Sequence, residues 1–118
     1  MAQMTFILKD GFKMGEETHF EVGLKELSSG DLIDAQMAAE KIVVQNGVAV
    51  AYTSDVVMGL EMLVRQVEYI GSFQGPLQIK ELRKLSPGDL NELQKQTSLL
   101  DKMLMKEFEQ RGRPQGAS

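Results

Sequence analysis

The chain has one histidine, His19, set between Glu17 and Glu21, and this is the first place to look for proton chemistry. A histidine works as a base for a nucleophile only when a serine, cysteine or second histidine stands in a suitable context. This sequence offers none, and on the polar side of an alternating segment His19 reads as a solvated side chain. The adjacent Glu16 and Glu17 read as a charged loop rather than an acid/base pair. The glycines form neither a dinucleotide fingerprint nor a phosphate loop. With no cysteine and a single histidine, thiolate and multi-histidine metal sites are excluded. The expectation is a protein that is not an enzyme, with no catalytic residue, no cofactor and no metal.

A second pattern is physical rather than catalytic. Residues Lys25 to Gln36 recur at Arg83 to Gln94, with Leu27, Ser28, Gly30, Asp31, Leu32 and Gln36 matched by Leu85, Ser86, Gly88, Asp89, Leu90 and Gln94. Ser28 and Ser86 stand at N-cap, where a hydroxyl accepts from an orphan backbone N–H. Asp31 and Asp89 stand at N3, where a carboxylate can reach back to the N-cap N–H. This is a capping box written twice. Leu27 with Leu32, and Leu85 with Leu90, have the spacing of a hydrophobic staple, and Pro87 suits the first helical position. These four polar residues are therefore structural caps, marking two helix starts.

The methionines point to contact chemistry. There are eight, and Met58 with Met62, and Met103 with Met105, place soft side chains on two helices. Such residues fill gaps in a core or line a surface that repacks on a variable helical partner. Met105 lies off the leucine stripe of its helix, which favours the surface role there. Met103, Met105 and Phe108 are the expected client-binding residues.

The elements that carry these residues can be read in order. Met4 to Lys9 and Thr18 to Leu24 read as the strands of an N-terminal hairpin, with Phe20, Val22 and Leu24 on one face and Asp10 to Glu17 as a loose loop. A helix is expected over Ser29 to Gln45 from Leu32, Ala35, Ala39, Ile42 and Val43, stopped by Asn46-Gly47. Val48 to Tyr52 alternates like a strand, but its alanines favour a loop leading into a helix. That helix, from about Ser54 to Ile70, is expected to be the core helix. After the Gly75-Pro76 turn come a short helical segment over about Gln78 to Lys84 and a last helix from Pro87 to about Gln110. Its Leu90, Leu93, Thr97, Leu100 and Leu104 form one stripe. The predicted class is α+β, an N-terminal β-hairpin followed by three to four helices, mostly helical, as one domain over residues 1–110 with a disordered tail over residues 111–118.

The 118 residues suit a single core, and 13 basic against 17 acidic residues give a net charge of −4. That balance lacks the basic stripe of a nucleic-acid binder and opposes non-specific self-association. No secretory signal or membrane span is visible, so nucleic acid and membrane are not expected partners.

Taken together, Leu24-Lys-Glu-Leu-Ser-Ser-Gly-Asp-Leu-Ile-Asp-Ala35, Leu60-Glu-Met-Leu-Val-Arg-Gln-Val-Glu-Tyr-Ile-Gly71 and Gly75-Pro76-Leu77 with Glu81-Leu-Arg-Lys-Leu-Ser-Pro-Gly-Asp-Leu90 resemble the tail assembly chaperones of contractile-tailed bacteriophages and prophages, of the Mu-like and P2-like type. The resemblance covers roughly residues 6–101. It implies a non-catalytic factor of the host bacterial cytoplasm, absent from the mature virion. Such a factor binds the tape measure protein and keeps it soluble while the tail tube forms. The tail tube protein and a second copy of the chain are the further partners it allows, and a longer frameshifted form is common in such families. The competing readings are a structural tail component and a general helical interaction module.

Overall fold

In the computed structural model, which describes residues 2–112, two strands open the chain. They are β1 (Met4–Met14) and β2 (Glu17–Leu24), paired antiparallel from Met4 with Leu24 to Met14 with Glu17. The expected loop is mostly strand. Its register shifts between Ile7 and Phe12, where Gly11 adopts φ +92°, and the turn closes at Gly15. Only glycine takes that φ without strain, and a side chain there would also collide with Thr18. Leu8 and Phe12, within and at the end of this irregular stretch, both enter the core.

Helix α1 (Ser29–Ala38) starts where the first cap places it but is shorter than its apolar spacing predicts. Strands β3 (Glu40–Gln45) and β4 (Val48–Thr53) replace its second half and the expected loop. Asn46 and Gly47, read from sequence as a helix stop, have φ values of 52° and 77° and form the two-residue turn of a hairpin. The β-branched run Ile42-Val43-Val44 and the alternation of Val48, Val50 and Tyr52 prefer extended backbone, and a turn with two positive φ angles matches the twist of paired strands.

Helix α2 (Asp55–Gln66) also ends early, and β5 (Val67–Ile70) pairs with β2 through Val22 with Ile70 and Leu24 with Val67. Backbone pairing with an existing strand outweighs the helical spacing that runs on to Ile70. A short β6 (Phe73–Gln74) completes a four-stranded sheet of order β1-β2-β5-β6, while β3 and β4 form a separate two-stranded sheet. Helix α3 (Ile79–Leu82) and the long α4 (Pro87–Gly112) follow. The class is α+β, but helices hold fewer than half of the residues, so "mostly helical" is corrected by β3 and β5, which the first two predicted helices give up, and by β4 and β6, which form where a loop and a turn were expected. Residues 113–118 of the expected tail lie outside the described residues.

The core joins Leu8, Phe12, Val22 and Leu24 of the hairpin to Leu63 and Val64 of α2, Val67 and Ile70 of β5, and Leu93 and Leu100 of α4. The leucine stripe of α4 thus faces its own domain. The shape is broad and thin, 56 × 53 × 22 Å, with a radius of gyration of 17.3 Å against roughly 13.5 Å for a compact chain of this length.

Candidate functional site

The two matched caps do different work. At the first, Ser28 Oγ accepts from Asp31 N–H at 3.0 Å and Asp31 Oδ2 accepts from Ser28 N–H at 3.0 Å, so both bonds of the box are made. Lys25 Nζ stands 3.3 Å from the same carboxylate oxygen. The backbone bond from Ser28 holds the Asp31 carboxyl below its ordinary value, against a smaller opposing effect of burial. This cap is local and exposed.

At the second, Ser86 Oγ accepts from Asp89 N–H at 3.2 Å and donates to Asp10 Oδ2 at 2.6 Å. Asp89 departs from the expected return bond to its own cap. Its Oδ1 accepts from Lys9 N–H at 2.8 Å, and its Oδ2 accepts from both Asp10 N–H and Gly11 N–H at 2.9 Å. The side chain is 1 % exposed. The bulge at Gly11 turns three successive amides of β1 toward α4, and the carboxylate at the helix N-terminus closes on them. Asp89 therefore locks the long helix onto the hairpin some eighty residues away in sequence. Ser28→Ala should cost about 1 kcal/mol through loss of a cap, and Ser86→Ala up to about 1 kcal/mol more because the bond to Asp10 goes too. Thermal melts of the two variants check this, and unchanged midpoints in both would overturn the role given to the caps.

His19 is more enclosed than its sequence context suggests, with a side chain 14 % exposed and Nε2 3.5 Å from Glu17 Oε2. It covers Gly71, where an added Cβ would strike the imidazole. Packing over a glycine turn is its place in the fold. No group of three or more metal-ligating side chains comes together among the described residues, and no helix there is long and apolar enough to cross a membrane.

Met103, Met105 and Phe108 lie on the part of α4 that runs past the core and are 54 %, 64 % and 75 % exposed. Leu104, between them, still packs on the core. Met58 and Met62 are half-buried, and Met62 lines an open groove of about 430 Å³ between α2 and α4. The bond from Gln66 Nε2 to Asp101 Oδ1, 3.1 Å, crosses that groove. The sequence reasoning missed a larger apolar feature, the hairpin β3–β4, where Ile42, Val44 and Val48 are each more than 60 % exposed. Its signal was present in Asn46-Gly47 flanked by β-branched residues.

Exposed apolar faces thus surround a well-tied core. Over residues 8–113 the chain matches the model of the tail assembly protein gp41 family, and it belongs to that family. It is 42 % identical over 91 residues to the Mu-like prophage FluMu protein gp41 of Haemophilus influenzae, covering 76 % of this chain and 72 % of that protein. Two proteins of Escherichia phage Mu, a probable tail assembly protein gp41 and a probable tail assembly protein FS-gp41, are each 46 % identical over 98 residues. That segment is 80 % of this chain, 68 % of the first Mu protein and 52 % of the second. No solved structure matches the chain. The resemblance read from the caps and helix faces thus holds at the level of a Mu-like phage tail assembly protein.

Proposed function

We propose that this tail assembly protein is a non-catalytic chaperone that binds the tape measure protein and keeps it soluble during tail tube assembly in the host cytoplasm. The observation that supports this best is the free end of α4, where Met103, Met105 and Phe108 stay exposed beyond the core. A long, apolar helical client aggregates unless covered, and a surface of flexible thioethers with one aromatic ring adapts to a series of related helices. The groove beside Met62 extends the same kind of surface between α2 and α4. The proposal places the protein in the assembly stage and not in the finished virion, with the tail tube protein as a secondary partner.

The two phage Mu relatives bear on how such a chaperone is deployed. They share the same identity over the same number of residues but differ in length, so one phage carries this segment in a shorter and a longer protein. That pattern fits a second, extended form of such a protein.

The test is co-expression with the tape measure protein of the same gene cluster, followed by size-exclusion chromatography of the soluble fraction. The client should be insoluble alone and co-elute with this chain. Replacing Met103, Met105 and Phe108 together by glutamine should leave the circular dichroism spectrum unchanged and weaken the complex by about 2 kcal/mol, roughly thirty-fold in Kd. Recovery of the chain from purified particles would instead identify a structural tail component.

A further inference from the structure

Nine of the sixteen large apolar side chains that are exposed among the described residues fall within residues 32–56, on α1, the β3–β4 hairpin and the start of α2. The hairpin is the centre of this patch. Its register pairs Ile42 with Ala51 and Val44 with Ala49 on one face, and Val43 with Val50, Gln45 with Val48 and Lys41 with Tyr52 on the other. Each face is therefore mainly apolar, a pattern found where strands are covered on both sides. None of its residues is buried, and a two-stranded ribbon by itself is marginal in water. Residues 42–54 carry no charge, so the net charge of −4 that opposes association elsewhere is absent here. Neither strand has a second neighbour in the sheet. The β3 edge carries Glu40 and Lys41, residues that blunt edge pairing, whereas β4 has neither charge nor proline.

The occupant is written in β4 itself. Val48-Ala49-Val50-Ala51-Tyr52 runs large, small, large, small, large, and is symmetric in size about Val50. Antiparallel pairing of this strand with its own copy sets Val50 against Val50, Val48 against Tyr52 on one face, and Ala49 against Ala51 on the other. Large side chains meet large ones, giving β-branched and aromatic cross-strand pairs, and alanines meet alanines. We propose that the β4 edge pairs antiparallel with β4 of a second copy about a two-fold axis at Val50, forming a four-stranded sheet β3-β4-β4-β3 across the dimer. Four strands pass the number at which a sheet becomes stable, and the contact is isologous, as a two-fold dimer requires. Strands of six residues span only about 20 Å, so the apolar side chains of α1 and of early α2 at the base of the hairpin complete the interface. This surface is separate from the free end of α4 and stands or falls without the client.

The chain lacks cysteine, which makes the test direct. In Val50→Cys the two thiols lie opposite each other across the axis and should be captured as a covalent dimer under oxidised glutathione, whereas Lys41→Cys, on the far strand, should not. Light scattering coupled to size-exclusion chromatography should give a dimer mass, or a multiple of it, for the unmodified chain. Val50→Lys should halve that mass with an unchanged circular dichroism spectrum. A monomer mass for the unmodified chain, a Val50→Lys variant that keeps the mass of the unmodified chain, or equal crosslinking at both cysteines overturns the proposal. A monomeric chain whose Val50→Lys variant fails to hold the client would assign the hairpin to the client instead and overturn it too.

Discussion

Replacing Asp89 by asparagine should destabilise the protein by roughly 1 to 3 kcal/mol, although the change is nearly isosteric. The carboxylate accepts from three backbone donors, Lys9, Asp10 and Gly11. An amide keeps one oxygen and presents an NH2 group where the other stood. In either orientation at least one β1 N–H then faces a donor in a site that is 1 % exposed. A buried donor left without an acceptor costs about 1 to 3 kcal/mol, which sets the range. For a domain of this size that corresponds to a melting temperature lower by roughly 10 °C.

The pH dependence carries the same signature. Burial opposes the charge on Asp89, but the amides of Lys9, Gly11 and Asp10 outweigh it and hold the carboxyl below its ordinary value. The folded-state value therefore lies below that of the unfolded chain. The resulting stabilisation is fully present above about pH 4 and is lost as the pH falls through the folded-state value. Asp31 is shifted the same way. Urea titrations at neutral and acid pH should show a steeper acid loss in the unmodified chain than in Asp89→Asn. Equal losses would mean that the carboxylate does not hold the helix to the hairpin.

The second large effect is expected one residue past the bulge. Phe12 is fully buried, its ring 5.7 Å from that of Phe73 at 59°, and it belongs to the same core as Leu93 and Leu100 of α4. Phe12→Ala should cost about 3 to 5 kcal/mol from lost burial and the cavity left behind. The tilted ring contact with Phe73 adds to the loss. Phe108→Ala is the control, because a ring 75 % exposed contributes little to folding. Chemical denaturation separates the two, and a comparable loss in Phe108→Ala would move that ring from the client surface into the core.

Local signals were strong enough to read wherever the chain makes its structure with near neighbours. Helices α1 and α4 begin at Ser29 and Pro87, directly after the two caps, because an N-cap bond closes within three residues. The leucine stripe of α4 was equally legible, since a helix of this length repeats its apolar face several times. The family followed from these same caps and faces.

Tertiary structure decided what depends on distant partners. Helical spacing ran through Ile42 and through Ile70 without a break, but β3 pairs with β4, and β5 gains β2 as a ready-made edge. Those backbone bonds overrode the weak preference that spacing expresses. The role of Asp89 was hidden for the same reason. Its sequence neighbourhood describes a cap, while its three acceptor bonds reach amides that only the Gly11 bulge turns toward it. Sequence by itself determined where the helices start, which face of α4 is apolar and the family of the chain. The fold decided which apolar side chains stay outside, because burial depends on where distant elements meet, and no residue of the β3–β4 hairpin is buried.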